Sequence, residues 1–314
     1  MNPLSAIYGA VVGARNRLYD RHRLPARRLQ GPVVSIGNLS VGGSGKTPFV
    51  ILLGELLSAR GVKFDILSRG YGRQTRGVLQ VDPCGSSGDF GDEPLLIARR
   101  LEVPVVLGEV RYQAGKFAEQ KFGPQLHLLD DGFQHRALAR VFDIVLVTPE
   151  DARDRLLPSG RLREPVAALR RADAVVLTSG ASPESFPLEG KLVWRVRRGL
   201  APVAIPQRPV AFCGIARPRN FLLQLRTAGV EPAAEAIYRD HHAYTENDIR
   251  ELLALKASSE AGGFVTTEKD AINLGAFFSS LHPLAVVPVK MDLVDAANAL
   301  DTMLRMIAER RNRP

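Results

Sequence analysis

The stretch GGSGKT at residues 42–47 has the composition of a polyphosphate cradle. Gly42, Gly43 and Gly45, with Val41 before them and Ser44 among them, leave the backbone free to aim its N–H groups at one anion. A helix beginning after Gly45 would add its positive end. Lys46 would reach the terminal phosphates, and the Thr47 hydroxyl would bind magnesium. One position departs from the pattern G-x-x-x-x-G-K-[ST]: Ser40 stands where the first glycine belongs. Such a loop needs an acid on its metal side, at the end of a neighbouring strand. The run HLLDD at 127–131 ends in Asp130 and Asp131. Adjacent carboxylates repel, and a cation beside them relieves the repulsion. Without the loop, Asp131-Gly132 would read simply as a turn.

These residues need a scaffold that brings strand ends together. From residue 32 to about 180, short apolar runs (33–37, 64–68, 103–107, 125–129, 143–147 and 174–178) alternate with helical segments (47–60, 93–101, 112–121 and 165–172). That rhythm predicts βαβ units, hence an α/β sandwich of the P-loop type with a mostly parallel sheet. Ligands bind such sheets at the carboxyl ends of the strands, where the glycine loop, Ser68-Arg69 and the acidic pair all fall. Prolines at 183, 187, 202, 206 and 209, around an extended stretch at 191–197, predict a linker. A second, smaller α/β series follows, with a helix at 218–229, a strand at 264–265 and a terminal helix at 295–310. Thr245 and Thr267, each with an acid three residues on, predict helix starts. The expected organisation is a basic N-terminal segment (1–30), a P-loop domain (31–185), a linker ribbon (186–208) and a C-terminal domain (209–314).

The chain has 314 residues, 45% hydrophobic, with two cysteines and a net charge of +9. The length and apolar content fit a folded two-domain protein, and two cysteines exclude a disulfide framework. No run is long enough to span a bilayer. Much of the charge sits in residues 1–30, where Arg15, Arg17, Arg21, Arg23, Arg27 and Arg28 face the single acid Asp20. Leu4, Ile7, Tyr8, Val11 and Val12 precede them at helical spacing, and Leu18 and Tyr19 continue the stripe. Either the stripe packs on its own domain, or it enters a membrane interface while the arginines meet anionic lipid. Nucleic acid is the less suitable acidic partner, because aromatics are only 6% of the chain and do not interleave with basic residues.

Beyond the loop, GNLSVGGSGKTP, SRGYGR, GDEP (91–94), RYQAG (111–115), LLDDGFQHR (128–136), LPSGRLREP (157–165) and DHHAY (240–244) occur in this order. Together they closely resemble the tetraacyldisaccharide 4′-kinase family of Gram-negative bacteria, over nearly the whole chain. The family's loop carries a small hydroxyl residue at the Ser40 position. The resemblance implies two α/β/α domains joined by a two-stranded ribbon. It implies transfer of the ATP γ-phosphoryl group, with Mg²⁺, to the 4′-hydroxyl of tetraacyldisaccharide 1-phosphate, giving lipid IVA. It favours the interfacial reading of the N-terminus and a peripheral position on the cytoplasmic face of the inner membrane.

Locally Asp92 reads as a helix cap; the resemblance makes it the general base, working with a histidine of the second domain. The matching segment offers Asp240 and His241, with His242 as the alternative. Arg111, Arg161 and Arg163 fall on loops at the strand ends; Arg111 is assigned to substrate or transition-state contact and Arg163 to nucleotide phosphate. Gln134 and His135 would shape the γ-phosphate region, and Glu164 would complete the metal shell. Another P-loop enzyme, a GTPase or a small-molecule kinase, would share the loop and acids but would need neither the basic apolar N-terminus nor the second-domain Asp-His pair.

Overall fold

The computed structural model describes residues 2–201 and 203–311. The first unit is built on β1 (Val33–Asn38), β2 (Phe64–Ser68), β3 (Leu79–Gln80), β4 (Val105–Leu107), β5 (Leu126–Asp130), β6 (Phe142–Val147), β7 (Ala174–Leu177) and β8 (Leu192–Leu200). Six of these strands run parallel in the order β7-β6-β1-β5-β2-β4, with β8 parallel beside β7 and β3 antiparallel on β4. The central strands are buried on both faces, and their alternation divides the core. Val34, Ile36, Ile66, Leu128, Ile144 and Leu146 pack toward α2 (Lys46–Ala59) and α4 (Asp92–Leu101), which follows the short α3 (Ser87–Phe90). Val33, Leu67 and Leu129 turn the other way, toward α5 (Arg111–Phe122). The helix expected at 165–172 is instead a short 3₁₀ stretch over Val166–Arg171, with eight residues between Pro165 and β7.

The second unit holds β9 (Val210–Cys213), β10 (Ala234–Ile237), β11 (Phe264–Thr267) and β12 (Leu284–Val287), all parallel, in the order β10-β9-β11-β12. Helix α6 (Pro218–Thr227) covers one face and α7 (Glu246–Ser258) the other. Thr245 and Asp248 form a reciprocal capping box at α7, and Thr267 caps α8 (Glu268–Leu274) by accepting from the Asp270 N–H.

The chain then returns. Strand β13 (Val289–Leu293) follows β12 directly and pairs antiparallel with the outer half of β8, Val196 to Leu200, making a two-stranded ribbon between the units. Helix α9 (Ala296–Arg311) packs Leu300, Met303 and Ile307 into the first core. Residues 289–311, grouped above with the second domain by chain order, therefore close the first.

Helix α1 (Pro3–Asp20) lies on the first unit with its polar side inward. The Ser5 hydroxyl donates to Leu156 O at 3.1 Å and the Tyr8 hydroxyl to Arg163 O at 3.0 Å. Asn16 is buried and donates to Glu164 at 2.6 Å. Leu4, Ile7, Val11 and Leu18 face outward, while Tyr8, Val12 and Tyr19 are half-buried. Among the described residues no helix is long and apolar enough to cross a membrane.

Candidate active site

A cavity of about 1200 Å³ opens between the two units at the carboxyl ends of β1, β5 and β2. Strand β1 delivers the glycine loop to its floor. Gly42, Gly43 and Gly45 have φ of 69°, 63° and 84°, the left-handed region that β-carbons disfavour. Gly45 precedes the first turn of α2 without any side-chain cap, so the helix N–H groups there are left for an anion. Val41, Ser44, Lys46 and Thr47 join the cavity wall, whereas Ser40 lies beneath it, in an isolated bridge with Leu162. The buried hydroxyls of Ser40 and Ser44 have no hydrogen-bond partner within the protein.

Around the loop a charged network forms. Lys46 Nζ lies 3.1 Å from Asn38 Oδ1 and 3.5 Å from Asp131. Arg163 grips Asp131 with two bonds of 2.9 and 2.7 Å and also donates to Asn38. Partial burial would raise Asp131, whose side chain is 39% exposed, but Lys46 and Arg163 outweigh it and hold its carboxyl well below the usual range. Its neighbour behaves oppositely: burial, then Glu93 and Asp131, push Asp130 up to about 7 against Lys46 and Ser68. Ser68 donates to Asp130 Oδ2 at 3.0 Å, and Oδ1 is buried without a partner. An orphaned carboxylate oxygen next to a second acid, in a cavity that Thr47 also lines, suits a hard cation. No cluster of three or more His, Cys, Asp or Glu that could hold a metal occurs among the described residues.

Arg161 lines the loop by donating to Val41 O at 2.7 Å and Gly42 O at 2.8 Å. Arg111, buried at the first turn of α5, leaves its Nε unpartnered and points into the cavity with His135 and Gln134. Burial, then Arg111, Arg140, Arg15 and Arg69, lower His135 to about 4. Glu164 does not join this group. Its carboxylate is buried on the far side of the loop, taken by Arg171 at 2.8 and 3.0 Å and by Asn16. The expectation that it completes the metal shell fails on this geometry, because both oxygens are already paired.

The opposite wall joins the units. Asp92 opens α4, capped ahead by Gly91, and is 4% exposed. His241, held at φ 57°, reaches across to it: Nδ1 lies 2.8 and 3.0 Å from the two carboxylate oxygens. Burial alone would raise Asp92, but His241, Lys269 and Asn273 bring it down to about 2. His241 is raised, chiefly by its bond to Asp92. The imidazole lines the cavity and Asp92 lies behind it. Asp240 stands 3.8 Å from His241 Nε2, and His242 turns away to Asp248 at 3.0 Å.

Sequence reasoning missed Lys269, Asn273, Arg198 and Arg217. The segment TTEKD at 266–270 flagged a helix start, but not that its lysine meets Asp92. Arg217 of the second unit packs over Gly43, where an added Cβ would lie 2.7 Å from its Cγ, and pairs with Glu150 at 3.1 Å. No spacing in the sequence announces that crossing.

Residues 1–308 match the family model described as tetraacyldisaccharide-1-P 4′-kinase. The tetraacyldisaccharide 4′-kinase of Koribacter versatilis is 53% identical over 99% of both chains. That of Aquifex aeolicus is 38% identical over 88% of this chain and 89% of its own. The crystal structure of Aquifex aeolicus LpxK in complex with ATP superimposes with a TM-score of 0.80, at 35% identity, over 97% of this chain and 98% of that one. A phosphate loop, an acidic strand end and an inter-unit Asp–His pair thus coincide with whole-length similarity, and the chain belongs to the tetraacyldisaccharide 4′-kinase family.

Proposed function

We propose that the protein transfers the γ-phosphoryl group of ATP to the 4′-hydroxyl of tetraacyldisaccharide 1-phosphate, giving lipid IVA, at the cytoplasmic face of the inner membrane. The observation that carries this reading is the pairing of Asp92 with His241 across a cavity floored by the glycine loop. The loop residues 41–47 and Arg163 would bind the nucleotide phosphates. Thr47 and Asp130, with Asp131 behind, would hold magnesium, which supplies charge neutralisation on the phosphates when bound. Of the two acids, Asp130 is the better direct ligand, since Asp131 already pairs with Arg163 and Lys46.

On the acceptor side, the Asp92–His241 pair would take the proton of the attacking hydroxyl. The two groups share a proton and titrate as a unit. Asp92 fixes the ring, and His241 presents Nε2 toward the cavity with Asp240 nearby. Arg111 would meet the acceptor or the charge that develops in transfer. Closure of the second unit over the loop, through Ala216 and Arg217 against Gly42 and Gly43, would exclude water and so limit ATP hydrolysis. The outward apolar face of α1 supports interfacial access to a lipid acceptor, because the polar side of that helix already holds it to the fold. The test is an assay with γ-labelled ATP, magnesium and tetraacyldisaccharide 1-phosphate in mixed micelles. Labelled bis-phosphorylated lipid is expected; folded, ATP-binding protein that labels no lipid would refute the acceptor.

A further inference from the structure

The acceptor side of the cavity contains a cation that the reaction scheme has not used. Lys269 sits in the first turn of α8, directly after β11, and lines the cavity. Its ammonium lies 3.0 Å from Glu93 Oε1 and 3.6 Å from Asp92 Oδ2, so one lysine of the second unit touches two successive carboxylates of the first. One turn further along the same helix, Asn273 donates to Asp92 Oδ2 at 3.3 Å. A third bond ties the two helices at the cavity wall, Arg100 of α4 to Glu268 of α8 at 2.6 Å. Helix α8 thus docks on α4 with Lys269 and Asn273, at i and i+4, on the face that meets Asp92.

We propose that Lys269 is a positioning residue for phosphoryl transfer: its ammonium, braced by Glu93, fixes and charge-compensates the Asp92 carboxylate that orients His241. The proposal rests on the reading of Asp92 and His241 as the proton-accepting pair.

The chemistry follows from the charges around the pair. Asp92 faces His241, Lys269 and Asn273; His241 also faces Asp240, and its ring lies beside Tyr71 at 5.4 Å between centroids. The nearest further acids, Glu93 and Asp240, favour a protonated pair, and Lys269 is the cation that opposes them. A pair that must accept a proton has to be proton-free when the acceptor hydroxyl arrives. Removing Lys269 leaves a buried carboxylate next to two acids and an imidazole, and each step of the pair's titration moves to higher pH. The sign is the same whether Asp92 or His241 finally carries the proton, because loss of a cation strengthens proton binding at both. The lysine also belongs to the second unit, so closure of the units would bring it to Asp92 by the same movement that would cover the nucleotide loop.

The test compares the pH dependence of kcat/KM for wild type, Lys269→Met and Lys269→Arg, with thermal melting to confirm folding and Asp92→Asn measured alongside. In Lys269→Met the acid limb is expected to move up by about one pH unit or more, a tenfold change in proton affinity, with Lys269→Arg restoring it toward wild type. If Lys269→Met does not fold, Lys269→Gln, which keeps a hydrogen bond to Glu93 without the charge, makes the same comparison. An unshifted limb in a folded, charge-removed variant, or equal defects in the Met and Arg variants, would overturn the positioning role. Retained transfer in Asp92→Asn would instead sink the underlying reading of the pair, so the two failures are distinct.

Discussion

Replacing Leu4, Ile7 and Val11 together by glutamine should detach the protein from membranes and leave its fold untouched. These side chains are 61%, 60% and 62% exposed, so they contribute little to the protein's own core. Full burial of such a side chain is worth about 1.5–3 kcal/mol. Three-fifths of that is about 1–2 kcal/mol each, or roughly 3–5 kcal/mol for the three. That energy corresponds to a fall of roughly 100- to 4000-fold in partition coefficient. Stability should change by less than about 0.5 kcal/mol, as for other exposed substitutions. The assay is co-sedimentation with vesicles containing anionic lipid, alongside a thermal melt of each protein. Raising the salt should weaken wild-type binding further, because the arginines of residues 1–30 act through screened charge. Unchanged sedimentation would refute the interfacial role of the stripe. A large drop in melting temperature would show instead that the stripe packs against protein.

Other substitutions probe the site. Gly43→Ala should weaken nucleotide binding by about tenfold, since φ of 63° costs a β-carbon about 1–2 kcal/mol. Calorimetry with ATP would check this, and full recovery in Gly43→Ala/Arg217→Ala would mean that contact with Arg217, rather than backbone strain, was the cause. Glu164→Gln should destabilise the fold by about 3 kcal/mol by stranding the buried Arg171. A variant of unaltered stability but lowered magnesium affinity would return Glu164 to the metal shell. His135 is depressed from 6.5 to about 4, so between these values the unfolded chain binds a proton that the native state refuses. Its contribution to stability is complete above pH 6.5 and is lost as pH falls toward 4, by about 2 kcal/mol after allowance for solvent screening. Melting temperature measured across that range should be flatter in His135→Gln, and parallel curves would refute the assignment.

The parts of the fold legible in the sequence were those whose signal is local. Apolar runs such as 64–68 and 143–147 read as strands because burial on both faces demands nearly continuous hydrophobicity. Thr245 and Thr267 announced helices because capping is a short-range bond. The glycine loop and acidic pair were readable for the same reason, as each sits on one strand end. The return of β13 and α9 was not, because an amphipathic helix encodes a face and not its partner. Glu164 shows the same limit at the site. It was expected to complete the metal shell, but the direction of its carboxylate depends on Asn16 and Arg171, which meet it only in the folded chain. Lys269 likewise gains its meaning from α4, which lies far from it in sequence.

The central claim is that the Asp92–His241 pair drives phosphoryl transfer to the 4′-hydroxyl. It is tested most directly by single-turnover transfer from ATP to tetraacyldisaccharide 1-phosphate, with the new phosphate located by ³¹P NMR, in wild type and Asp92→Asn. The account predicts a 4′-phosphate in wild type and a rate lower by about 10²- to 10⁴-fold in the variant, the usual contribution of general base catalysis. A phosphate at another position, or an Asp92→Asn rate equal to wild type, would contradict it.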